Sequence, residues 1–194
     1  MGRSALNTGE FPTTAQISEP PLDLPVPLEG RNYCGELDIH IDRSGAWFYN
    51  GTAINRKEMV CLFASTLLRA DDGSYWLVTP TEMGCIEVED SPFVITEMFT
   101  SGAGEETTIS FCTNVDKMVT VSENSPILMK PSPLTGEMTP YVVLPGNIEA
   151  RLERSVYYEL VEHGVEMDLD DELIFGVWSS GSFFPLGSMR ETDA

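Results

Sequence analysis

Leu37, Ile39 and Ile41 alternate with Asp38, His40 and Asp42. A period of two puts one set on a buried face and the other in water, which predicts a half-buried strand. Arg43, Ser44 and Gly45 then predict a turn, residues 46–49 a second strand, and Asn50 with Gly51 another turn. The period changes at Asn55. Met59, Leu62, Phe63, Thr66 and Leu67 recur at helical spacing and predict one buried stripe. Asn55 stands as the N-cap of this first helix, with Glu58 three residues on as in a capping box. Asp71, Asp72 and Gly73 end it. Strands follow over 75–79 and 84–89, stopped by Pro80 and by Ser91-Pro92.

The second half repeats the plan. Strands are predicted over 93–99 and 107–112, joined by a glycine-containing hairpin loop, and again over 118–121, 127–129 and 141–144. Pro145 and Gly146 turn the chain into a second helix over 148–163, opening near Asn147. Its stripe is Ile148, Leu152, Val156 and Leu160, and Gly164 is its left-handed stop. Strands over 173–178 and 182–186 close the chain. This pattern predicts an α+β fold of two small domains, each with a strand–helix–strand motif and mainly antiparallel sheets. The predicted divisions are a proline-rich extended arm over 1–30, an N-terminal domain over 31–91 and a C-terminal domain over 92–194. In the arm, Pro12, Pro20, Pro21, Pro25 and Pro27 exclude helix and central strand.

Charge changes the functional picture more than the fold. The 194 residues hold 31 acidic and 11 basic side chains, for a net charge of -20. Such a surface repels phosphate backbones at long range, so general nucleic-acid binding is excluded. The start of the chain lacks a charged segment followed by an apolar run, and no stretch approaches a membrane span of roughly 20 apolar residues. A cytoplasmic, membrane-free protein is expected.

The chemistry-bearing residues mostly have structural readings. Cys34, Cys61, Cys85 and Cys112 are scattered, without the paired spacing of a zinc or redox motif, and read as small apolar residues in a reducing compartment. His40 falls on a wet strand face and His163 at a helix C-terminus, where its cation suits the dipole. No nucleophile elbow or phosphate-binding loop is present. Asp168, Asp170, Asp171 and Glu172 lack the glycine and distal glutamate of a calcium loop. No catalytic residue, metal or cofactor is expected. Trp47, Tyr75, Trp76 and Trp178 read as core rather than as stacking platforms.

Three arginines stand apart. On a helix, ion pairs form at spacings of three or four, and Arg56, Arg151 and Arg154 find no acidic neighbour at those spacings. Arg151 and Arg154 are like charges one turn apart on the expected helix. Arg56, and less clearly Arg151, sit near a helix N-terminus, where the dipole disfavours cations. Two readings stay open: these groups hold a bound anion, with Tyr158 on the same face to stack or hydrogen-bond, or carboxylates from distant strands pair with them.

Several runs carry a resemblance. WFYNGTAINR from Trp47, DGSYWLVTP from Asp72 and IEVEDSPF from Ile86 are followed by FCTNV from Phe111, PYVV from Pro140 and the run over 148–162. Together they span most of the chain after residue 30. This ordered set resembles an uncharacterised bacterial family, domain-of-unknown-function family number 1285. The resemblance implies two domains with a repeated structural motif. It also implies a C-terminal domain similar to pleckstrin-homology-like barrels, and a signalling role with a nucleotide-like ligand near the domain junction. It supplies no catalytic residue. The expectation is therefore a non-enzymatic binding protein, with Arg56, Arg151, Arg154 and Tyr158 as ligand-binding residues. The alternative is a protein-interaction module that engages a signalling partner without a small molecule.

Overall fold

The computed structural model describes residues 24, 29–169 and 172–188. The predicted arm over 1–30 lies outside them except for Leu24 and residues 29–30, as do Asp170 and Asp171 of the acidic turn. Among the described residues there are fifteen strands and two α-helices of nine residues each.

The first sheet comprises β1 (Asn32–Ile41), β2 (Trp47–Tyr49), β3 (Thr52–Ala53), β4 (Leu67–Arg69), β5 (Tyr75–Val78) and β6 (Glu82–Val88). Their spatial order is β3-β2-β1-β6-β5-β4, and α1 (Lys57–Ser65) connects β3 to β4. Each flank, β3-β2-β1 and β6-β5-β4, is a three-stranded antiparallel meander, while the central seam, β1 against β6, is parallel. The second sheet comprises β7 (Phe93–Ser101), β8 (Thr108–Thr113), β9 (Met118–Thr120), β10 (Ile127–Pro131), β11 (Met138–Leu144) and β12 (Ile148–Leu152). Its order is β10-β11-β12-β7-β8-β9, again with a parallel central seam, β12 against β7. Then α2 (Arg154–Glu162) leads into a three-stranded antiparallel sheet of β13 (Val165–Leu169), β14 (Glu172–Ser179) and β15 (Ser182–Ser188), with β15 beside β10.

The expected α+β fold is overturned. The molecule is mostly β, with sheets that curl into a half-barrel. The repeated strand–helix–strand motif and the pleckstrin-homology-like barrel of the C-terminal domain fall with that expectation. The physical reason is clearest at residues 148–152. Ile148, Ala150 and Leu152 are buried while Glu149 and Arg151 face the other way, a period of two that β12 satisfies by pairing with β11 and β7. The second helix therefore starts at Arg154, six residues later than its apolar stripe suggested, and buries Val156 and Leu160 against β7 and β14.

The first helix is corrected at both ends. Its N-cap is Arg56, with no side-chain cap bond, so Asn55 and Glu58 form no capping box. It ends at Ser65, and Leu67 belongs to β4. Gly164 has no left-handed conformation; a side chain there would run into the Phe175 ring, so close packing explains the glycine.

One continuous core links the sheets. Trp47, Phe93, Ile95, Phe111, Leu160 and Val177 are all buried within it. Each such side chain contributes about 1.5–3 kcal/mol relative to exposure. A smaller cluster buries Leu24 with Trp76, Met83 and Cys85. Trp178 is only partly buried and meets Phe183 edge-on.

Candidate functional site

The site lies where the two six-stranded sheets meet. The β1–β2 turn presents Arg43 there. Asp42 holds that turn: its Oδ1 accepts from the Ser44 amide (2.8 Å), the Ser44 hydroxyl (2.6 Å) and the Ala46 amide (3.0 Å). Burial pushes the Asp42 carboxyl up, but bonds from the Ser44 side chain and the Ala46 and Ser44 amides outweigh it, leaving the group below its ordinary value. Gly45 completes the turn at φ 79° and touches the second sheet. Its carbonyl accepts from Asn114 Nδ2 at 3.0 Å, and a Cβ there would approach the same atom to 2.7 Å. Only glycine fits that contact.

Arg151 projects from β12 rather than from a helix. Its Nε lies 3.2 Å from Asp90 Oδ2, and its Nη2 donates to the Arg43 carbonyl at 2.9 Å. Asp90 is 4% exposed and also accepts from the Tyr141 hydroxyl at 2.7 Å. Burial first, and the bond to Asp90 second, push the Tyr141 phenol well above its ordinary value. Arg151 is thus held by a carboxylate, as one of the two open readings anticipated.

Arg154 opens α2 and is exposed; among the described residues neither it nor the Arg43 guanidinium has a carboxylate partner. One turn on are Tyr157 and Tyr158, with ring centroids 6.4 Å apart and planes at 35°. These residues surround a groove of about 400 Å³. Its far wall is the β10–β11 hairpin, including Ser132, Leu134, Glu137 and Thr139. The volume lies in the range of small-molecule sites.

The structure therefore gathers Arg151, Arg154 and Tyr158 around one groove and leaves Arg56 elsewhere, exposed at the start of α1. It adds Arg43, Asp90 and Tyr157. Arg43 was read only as part of a turn. The available signal was its class: another arginine in a strongly acidic chain, flanked by the turn residues that would display it.

Other contacts fix the junction on either side. Glu149 is 13% exposed and meets Arg69 (3.4 Å) and Lys130, while Arg69 Nη1 also donates to the Asn147 carbonyl at 2.9 Å. Lys117 donates to the Ala64 carbonyl at 3.1 Å and lies over the Phe93 ring; burial pushes its ammonium down. Among the described residues no three His, Cys, Asp or Glu side chains are placed to hold a metal ion. No described helix is long and apolar enough to cross a membrane. All four cysteines are free, and they range from the exposed Cys34 to the buried Cys85.

Two curled sheets joined at a polar groove define a two-part, mainly β protein. Residues 20–91 match the N-terminal domain of unknown function DUF1285, and residues 92–186 match the C-terminal domain of the DUF1285 protein of unknown function. The chain belongs to the DUF1285 family. A crystal structure of a DUF1285 family protein from Silicibacter pomeroyi DSS-3 is similar over 84% of this chain and 87% of that one, with 40% identity and a TM-score of 0.76. Another, from Shewanella baltica OS155, is similar over 65% of this chain and 91% of that one, with 29% identity and a TM-score of 0.52. No curated protein matches significantly.

Proposed function

We propose that this protein binds a small anionic, nucleotide-like ligand in the groove between its sheets, as a non-enzymatic component of signal transduction. One observation carries the reading: three arginines and two tyrosines converge on a single groove in a chain of net charge -20. Elsewhere on such a surface an anion meets repulsion; in the groove it meets guanidinium donors that suit phosphoryl and carboxylate oxygens. Asp90 and Glu137 also line the groove, but Asp90 is engaged by Arg151 and Tyr141. The exposed ring of Tyr158 offers a face for a base or another flat group.

The test is a thermal melt of the whole chain with inorganic phosphate, adenosine monophosphate and guanosine monophosphate at millimolar concentration. Ligand at a hundred times its dissociation constant stabilises the native state by about 2.7 kcal/mol. For a protein of this size that raises the melting temperature by about 5–10 °C. Unchanged melting with all three refutes the reading and leaves the protein-interaction module in its place.

A further inference from the structure

The cations of the groove divide into one that is already committed and two that are not. Arg151 has its Nε on Asp90 and its Nη2 on the Arg43 carbonyl, and its own backbone amide donates to Ser91 Oγ at 3.0 Å. It is a fixed post. Arg43 and Arg154 line the same groove, are exposed, and have no carboxylate partner among the described residues. They come from opposite sides of the junction: Arg43 from the turn between β1 and β2, Arg154 from the first turn of α2. The main chain at Arg43 is itself anchored, since its amide donates to Glu89 Oε2 at 2.9 Å and its carbonyl accepts from Arg151. The guanidinium therefore hangs from a rigid support that belongs to the first sheet but touches the second.

We propose that Arg43 and Arg154 together take one doubly charged phosphoryl group, so that the ligand is gripped by both sheets at once, with Arg151 positioning the site rather than binding the charge. A phosphate monoester suits this pair because it carries about -1.5 to -2 charge at neutral pH and three acceptor oxygens, enough for two guanidinium groups approaching from different directions. Binding then ties the β1–β2 turn to α2, and the junction becomes stiffer when the groove is filled. The inference rests on the anion-binding reading above and adds a residue, a division of labour and a mechanical consequence to it.

The experiment uses the whole chain with inorganic phosphate and with phenyl phosphate, followed by calorimetric titration and by hydrogen exchange. Arg43→Gln and Arg154→Gln are each expected to weaken phenyl phosphate binding by about tenfold or more, since each removes charge-assisted bonds. Neither variant disturbs a packed contact, so both fold. At saturation, exchange is expected to slow both in the β1–β2 turn and in the first turn of α2. Loss of binding in Arg154→Gln with wild-type affinity in Arg43→Gln overturns the shared grip while leaving the anion-binding reading intact, as does slower exchange on one side alone. If the unaltered protein binds neither phosphate compound, both the inference and the reading beneath it fail. Stronger binding of phenyl phosphate than of inorganic phosphate marks an aromatic ester as the preferred source of the phosphoryl group; equal binding marks the free ion.

Discussion

Replacing Asp90 by alanine tests the framework of the groove without touching the two free arginines. Its carboxylate is 4% exposed and holds two partners at once, Tyr141 Oη at 2.7 Å and Arg151 Nε at 3.2 Å. Removing one partner of a fully buried ion pair costs about 3–5 kcal/mol. Arg151 is 25% exposed and regains some water, so its share is smaller. The Tyr141 hydroxyl loses its carboxylate acceptor and keeps only the Ser132 hydroxyl beside it, which adds about 1–3 kcal/mol. A total near 3 kcal/mol is expected, which lowers the melting temperature by about 6–12 °C for a chain of this length. Asp90→Asn keeps an acceptor for the phenol and is expected to cost about half as much. The assay is urea unfolding of Asp90→Ala, Arg151→Ala and the double variant. Because the two side chains share one interaction, the double variant is expected to lose about 1–2 kcal/mol less than the singles combined. An Asp90→Ala variant within about 0.5 kcal/mol of wild type, or strictly additive singles, refutes the account of Asp90 as the post that positions Arg151.

Other outcomes follow from single contacts. Gly164→Ala drives a methyl into the Phe175 ring and is expected to cost about 1–3 kcal/mol in urea unfolding, whereas Gly187→Ala, which meets open space without a left-handed backbone, is expected to cost less. Leu160→Ala, at a fully buried site on α2, is expected to lose about 2–5 kcal/mol by the same measurement. Arg56→Gln is expected to change neither stability beyond about 0.5 kcal/mol nor phenyl phosphate affinity, because Arg56 is exposed and away from the groove. Burial raises the Tyr75 phenol to about 12. A phenol raised in the folded state favours folding while it stays protonated. That stability is present below the ordinary value of 10.0 and is lost as pH climbs towards 12. The urea midpoint is therefore expected to fall over that range, and Tyr75→Phe to flatten the fall; identical profiles would exclude Tyr75 as the cause.

The strands were legible where their pattern is local. Leu37, Ile39 and Ile41 alternate as read, and short turns at Asn50-Gly51 and Asp72-Gly73 join neighbours. The second helix was misplaced because a spacing of four satisfies both periods. Ile148, Leu152, Val156 and Leu160 lie near one helical face, yet positions four apart also share a strand face. What decides for a strand at 148–152 is a partner far along the chain, β7, and no local signal reports it. Asn147 illustrates the same ambiguity: its residue type suits a helix opening, but with Gly146 it forms a left-handed turn between β11 and β12. Arg151 and Arg154 were singled out from helical spacings that do not hold for Arg151, whose carboxylate partner sits in the connection after β6. Tyr158 and Arg154 reach one groove because α2 begins beside it, whereas Arg43 gets there from a turn more than a hundred residues earlier. Proximity of that kind is a property of topology.

The two parallel seams have a consequence for synthesis. While the first half emerges, β1 offers one open edge, since Asn32 must wait for Glu82 and Ile41 for Val88. The second half repeats the delay, with Phe93 waiting for Ala150. Contacts so remote in the chain slow assembly and leave unpaired backbone amides available to neighbouring chains. On the ribosome the nascent chain therefore passes through two vulnerable intervals, each ended only when the last strand of its sheet arrives.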